Sequence, residues 1–176
     1  DSSELLPGNS RLGKLAFLLV DTPELGEIAP DFTLPGTTMV DGEAQKAHFT
    51  LSGRRGHKVV LAFYPADNSP GCTMQLCSYE DEMEAFKELG AEVWGISRQA
   101  FGSHEKFARS KRLGFPLLSD EKGDVVSAYG VGLMGIGIRR SIFIIDEDGR
   151  LGWKHVSLVG ATFQSAATLK RELANF

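Results

Sequence analysis

The chain carries two cysteines, Cys72 and Cys77, at the end of the stretch Phe63-Tyr-Pro-Ala-Asp-Asn-Ser-Pro-Gly-Cys-Thr-Met-Gln-Leu-Cys77. A thiol can serve as nucleophile, metal ligand, disulfide partner or small buried hydrophobe. A structural zinc site takes four Cys or His ligands, commonly with C-x2-C spacing. Here the spacing is C-x4-C, and His48, His57, His104 and His155 are scattered with no H-x3-H pair. No metal is therefore expected. A disulfide-scaffolded secreted domain would carry more cysteines. Three readings remain: two buried thiols, a local structural disulfide, or a redox pair.

For nucleophilic work the sulfur must ionise. A free thiol is only a few per cent thiolate at neutral pH, and making it mostly ionised takes roughly 3 kcal/mol. Cys72 falls where a turn-rich loop enters a helix, so the free N–H groups of the first turn point toward it. That field gives ~0.3–1 kcal/mol and rarely ~2. Ser69, three residues upstream, can bring a hydroxyl to the same place. A cation must supply the rest. Arg139 and Arg140 stand at the start of the apolar run Ser141-Ile-Phe-Ile-Ile-Asp146, and sites in α/β sheets form at strand ends. Spacing alone reads the two arginines as solvated loop cations; both readings stay open. Glu80 lies eight residues beyond Cys72, roughly 12 Å along a helix axis and near the screening length.

The elements that must hold these groups follow from periodicity. Lys58 to Tyr64 is an almost unbroken apolar run, as expected of a strand buried on both faces. Cys72, Leu76, Tyr79, Met83 and Phe86 form one stripe, predicting a helix over 72–89 that ends at Gly90. Glu92 to Ser97 reads as a strand. Ser103 can cap a helix running to Leu113. Leu117-Leu118 is a short strand and Asp124 to Tyr129 a short helix. Ser141 to Asp146 and Leu151 to Val156 are strands joined by the turn signal Glu147-Asp148-Gly149. Thr162 to Ala174 is a closing helix. Parallel βαβ units followed by ββα predict a mixed central sheet flanked by helices on both faces, the thioredoxin-like α/β arrangement. Residues 1–26 read as an irregular arm, with one strand at 15–20, and 27–176 as the domain proper.

Helical geometry constrains the cysteine pair. Residues i and i+5 lie about 140° apart around the axis, with Cα atoms about 8.7 Å apart. A disulfide wants ~4.4–6.8 Å. Cys72 and Cys77 therefore cannot bond while 72–77 is helical, and a bond between them would require the first turns to unwind.

Composition narrows the classes. The 176 residues suit one domain with a full core. With 19 Lys and Arg against 23 Asp and Glu, net charge −4, there is no basic field to bind nucleic acid. No apolar run reaches the length of a membrane span, and Leu15–Val20 is too short for a signal-peptide core. Gly130-Val-Gly-Leu-Met-Gly135 matches G-x-G-x-x-G, but a helix precedes it and a strand follows. A dinucleotide fingerprint needs the reverse order, so a loop is expected.

At Pro65, Ser69 and Cys72 the chain resembles the peroxiredoxins, whose motif is P-x3-[T/S]-x2-C. Cys77, five residues on, matches the peroxiredoxin Q and bacterioferritin-comigratory-protein group. That group carries an arginine six residues before the Asp ending the later strand, which gives Arg140. Ala29-Pro-Asp-Phe-Thr-Leu34, Gly90-Ala-Glu-Val-Trp-Gly-Ile-Ser97 and Pro116-Leu-Leu-Ser-Asp120 extend the resemblance over roughly 27–175. The departures are Ser69 for the commoner Thr and the extra cation Arg139. The resemblance implies a thioredoxin-like fold and a thiol peroxidase without cofactor. Cys72 would attack a hydroperoxide and become a sulfenic acid, Cys77 would close an intrachain disulfide, and a thioredoxin-type dithiol would reduce it. Arg140, Ser69 and the Gly71 and Cys72 N–H groups would polarise the O–O bond, Pro65 would shield the sulfur, and Tyr64 would help bind substrate. A disulfide reductase of this fold would normally show C-x-x-C, which the chain lacks; a binding module with structural cysteines is the rival from another class. An intrachain partner cysteine leaves no need for a second subunit, so a monomer is expected. The expected location is the cytoplasm, with a plastid as the alternative.

Overall fold

The computed structural model describes residues 22–133, 137–157 and 162–176. The strands are β1 (Thr33–Val40), β2 (Glu43–Thr50), β3 (Lys58–Phe63), β4 (Ala91–Ser97), β5 (Leu117–Ser119), β6 (Ser141–Ile145) and β7 (Leu151–Val156). The helices are α1 (Pro70–Glu80), α2 (Met83–Glu88), α3 (Phe101–Lys111), α4 (Asp124–Ala128) and α5 (Ala166–Leu173). One mixed sheet runs β2-β1-β5-β4-β3-β6-β7, the thioredoxin-like arrangement expected.

β3 lies near the middle and every residue in it is buried. Its period of two sorts side chains between the two faces. Val60 and Ala62 join Cys72, Leu76, Tyr79, Phe86, Phe107 and Leu169 in one cluster. Val59, Leu61 and Phe63 join Trp94, Val126, Tyr129 and Phe143 in the other.

β3, β4 and β5 are mutually parallel, so their C-terminal ends meet at one sheet edge. β6 runs antiparallel to β3, with Phe63 paired to Ser141. The start of β6 therefore coincides with the end of β3. This reversal carries Arg140 to the edge from which the cysteine loop departs.

The structure adds one hairpin and corrects three elements. β1 and β2 pair over their full lengths through Asp41 and Gly42, both at positive φ. Asp-Gly is a strong hairpin signal, but β2 (Glu-Ala-Gln-Lys-Ala-His-Phe-Thr) is too polar for alternation to reveal it. The single helix expected over 72–89 is two helices. Glu82 leaves helical geometry (φ −109°, ψ 14°), its N–H reverts to a short-range bond to the Tyr79 carbonyl at 3.1 Å, and its carboxylate pairs with Lys170 at 3.0 Å. α3 begins at Phe101 with Ala100 at its cap, so Ser103 is not the capping residue. α5 begins at Ala166, capped by Ser165 rather than opening at Thr162.

The expected strand at 15–20 lies outside the described residues, as do residues 134–136 of the glycine-rich loop. Residues 22–29 lie against β7 and the preceding turn: Lys154 Nζ reaches the Pro23 carbonyl at 2.8 Å, and Ile28 bridges Arg150.

Candidate active site

Ser69 is the N-cap of α1, with extended backbone (φ −67°, ψ 144°), and Pro70 fills the first helical position, where a missing N–H costs nothing. The Ser69 Oγ accepts from the Cys72 N–H at 3.3 Å and donates to the Ala66 carbonyl at 3.2 Å. The hydroxyl thus closes the loop onto the first helical turn, and the Cys72 N–H is committed to it rather than left for a substrate oxygen. Gly71 is half-buried beside it, and Pro65 is exposed two residues after the end of β3.

Cys72 is 0% exposed and Arg140 8% exposed. The two guanidinium arms of Arg140 diverge: Nη2 donates to Cys72 Sγ at 3.4 Å and Nη1 to Gln75 Oε1 at 2.5 Å. Gln75 is fully buried one helical turn beyond Cys72, so a single helix face presents both acceptors to the arginine. The Gln75 amide donates to Tyr79 Oη at 3.1 Å, and that hydroxyl donates to the Gln164 carbonyl at 2.6 Å. This chain fixes which way the Gln75 oxygen faces, and hence where the cation sits. Burial raises Tyr79 to about 12, so the hydroxyl keeps its proton. Gln75 escapes a search for charged or nucleophilic types; its signal is position alone, three residues after the cysteine on the buried stripe.

The backbone of the neighbouring Arg139 is also bonded: its N–H donates to the Val131 carbonyl at 2.7 Å, and its carbonyl accepts from Ser141 Oγ at 2.8 Å.

Cys77 lies one and a half turns farther along α1, half-buried against the same core cluster, and both sulfurs are free thiols. Burial pushes the Cys77 thiol up; Asp81 and Glu80 push the same way, and Lys111 opposes them. With residues 70–80 helical, the two Cα atoms stand about 8.7 Å apart on ideal geometry, beyond disulfide reach.

Tyr64, expected at the substrate site, is fully buried, and its hydroxyl donates to Asp67 Oδ1 at 2.6 Å. Asp67 also accepts from Ser103 Oγ at 2.7 Å and faces His104 Nδ1 at 2.7 Å. Its backbone N–H donates to Gln99 Oε1. Burial would raise the Asp67 carboxyl, yet the bonds from His104, Tyr64 and Ser103 hold it below the usual carboxylate range. No motif in the sequence joins Asp67 to His104, which lie on different elements. Among the described residues no group of three or more His, Cys, Asp or Glu is placed to hold a metal ion, and no helix is long and apolar enough to cross a membrane.

Comparison with known proteins agrees with this fold. The AhpC/TSA family model matches residues 25–154. Peroxiredoxin Bcp of Bacillus subtilis is 37% identical over 158 residues, covering 85% of this chain and 96% of that one. A chloroplastic peroxiredoxin Q of Oryza sativa subsp. japonica is 43% identical over 126 residues, 70% of this chain and 55% of that one; the match spans about half the length of this plant relative. Among solved structures, peroxidoxin BcpB from Mycobacterium tuberculosis superposes with a TM-score of 0.70 at 33% identity, covering 86% of this chain and 94% of that chain.

Proposed function

The chain belongs to the AhpC/TSA family, as a thiol peroxidase of the Bcp and peroxiredoxin Q kind, and from that premise we propose that Cys72 is the attacking sulfur and Cys77 its intrachain partner. The observation that carries this reading is the 3.4 Å contact between the Arg140 guanidinium and the buried Cys72 sulfur.

Enzymes of this family take a peroxide as oxidant and a thioredoxin-type dithiol as reductant. The Cys72 thiolate attacks one oxygen of the hydroperoxide and the O–O bond breaks. The sulfur keeps the attacked oxygen as a sulfenic acid, and the departing oxygen takes a proton to become water or an alcohol. Ionisation alone cannot account for the rate, because going from a few per cent to full thiolate gains only about 30-fold. The larger part comes from stabilising charge on the departing oxygen. Arg140 is placed for that work, since its guanidinium lies 3.4 Å from the sulfur, beside the O–O bond that the sulfur attacks. Ser69 holds the first turn, and with it the sulfur, in register. Gly71 supplies a helix-terminal N–H, Pro65 shapes the approach, and Tyr64 braces the loop from below rather than meeting the peroxide.

In the second step the Cys77 thiolate attacks the Cys72 sulfenic acid, a disulfide forms and water leaves. The turns of α1 between them must open first. The intrachain partner supports a monomer. For its setting we take the cytoplasm, with the plastid as the alternative.

Cys72→Ser should abolish peroxide consumption with a thioredoxin system. Cys77→Ser should stop turnover yet still reduce one equivalent of peroxide, leaving Cys72 as a sulfenic or over-oxidised acid by mass spectrometry. Peroxide turnover retained in Cys72→Ser would overturn the assignment.

A further inference from the structure

We infer that His104 is a positioning residue for the cysteine loop, held as an imidazolium between the Asp67 carboxylate and the Leu118 carbonyl, which ties the loop leading into α1 onto the ends of β4 and β5. The inference rests on the reading above only in taking Cys72 as the attacking sulfur.

His104 is 0% exposed on α3 and meets acceptors at both ring nitrogens. Nε2 lies 3.0 Å from the Leu118 carbonyl, which can only accept, so Nε2 carries a proton. Ser97 Oγ is the other neighbour on that side, at 3.4 Å. Nδ1 lies 2.7 Å from Asp67 Oδ2 and 3.2 Å from the Tyr64 hydroxyl. The tyrosine gives its proton to the other carboxylate oxygen at 2.6 Å, and Ser103 gives its own to Oδ2. A neutral ring with its proton on Nε2 would set a bare nitrogen against a carboxylate oxygen. A proton on Nδ1 as well turns that repulsion into a charge-assisted bond. The result is a buried ion pair in which both Asp67 carboxylate oxygens accept hydrogen bonds, the condition under which such a pair holds its geometry.

The placement gives the pair its use. Asp67 stands two residues before Ser69, the cap of the helix that must open for Cys77 to reach Cys72. The histidine reaches it from α3 and bonds β5, neither of which belongs to the opening segment. The anchor thus lies just upstream of the hinge, and the loop keeps its place against the sheet while the cysteine turns unwind and rewind.

The test uses the reduced protein labelled with 15N. At neutral pH, long-range proton–nitrogen correlation should show both His104 nitrogens protonated; His48, His57 and His155 are exposed, and His104→Gln identifies the signal by its loss. A bare Nδ1 would overturn the inference. Asp67→Asn can still bond a neutral ring, so it should fold, convert His104 to its neutral form, and slow peroxide attack on Cys72 by about 10- to 100-fold in a Cys77→Ser background. Unchanged ring signals or an unchanged rate in Asp67→Asn would also overturn it. If His104→Gln fails to fold, the parent spectrum and Asp67→Asn still decide. Failure of the Cys72 assignment shows separately, as peroxide turnover in Cys72→Ser.

Discussion

Arg140 bonds two acceptors on one helix face, the Cys72 sulfur and the Gln75 amide oxygen. The amide is neutral, so it takes none of the cation's charge away from the sulfur. A carboxylate at position 75 would share it. Arg140→Ala removes the group placed to receive charge from the departing oxygen. Loss of one such donor typically costs about 10²–10³ in rate, and that fall is expected in the second-order attack of peroxide on Cys72, measured by single-turnover kinetics. Arg139→Ala should stay within a few-fold, because the contact to the sulfur belongs to Arg140. Equal losses in the two variants would contradict the placement of the cation.

α1 must be both a scaffold and a hinge. It is capped by Ser69, opens with Pro70 and closes after eleven residues, before the break at Asp81–Glu82. A short helix with a break behind it opens at lower cost than one continuous over 72–89, because fewer backbone bonds are lost together. Oxidation should therefore lower helical circular dichroism, and reduction should restore it. The closing step has its own pH dependence. Burial raises the Cys77 thiol, and only the thiolate attacks. Disulfide closure should thus accelerate with rising pH and level off above the ordinary thiol range near 8.5. Stopped-flow measurement of closure in the parent protein checks this; a rate flat from pH 6 to 9 would refute it.

Across the whole molecule, buried phenols set the alkaline limit of stability. Burial raises Tyr64, with Asp67 adding to the effect; Tyr79 rises to about 12, and Tyr129 rises by burial with Asp31 adding. A raised value in the folded state means that the contribution is complete below the unfolded value near 10 and is lost as pH climbs through the folded one. Asp67 has the opposite sign: its lowered value gives a contribution present above about 3.9 that fades as pH falls through the folded value. The Tm should hold a plateau between these limits and fall beyond pH 10. Tyr79→Phe should lower the neutral Tm by a few degrees, through loss of about 1 kcal/mol of hydrogen bonding, and should blunt the alkaline fall.

The sequence by itself determined the order of the main elements, the pair Cys72 and Cys77, and the nearness of the Ser69 hydroxyl to the start of the cysteine helix, because apolar period and turn chemistry are local. β2 escaped because an exposed edge strand needs no apolar alternation, and the break at Glu82 escaped because the stripe from Cys72 to Phe86 continues across it. Spacing alone could not say which arginine meets the sulfur, although the family resemblance pointed to Arg140; the tertiary structure supplies the reason, the antiparallel pairing of β6 with β3 that sets residue 140 beside the end of β3. The joining of Asp67 to His104, 37 residues away, was decided only there. Both depend on where separate strands end in space, and one-dimensional spacing carries no record of that.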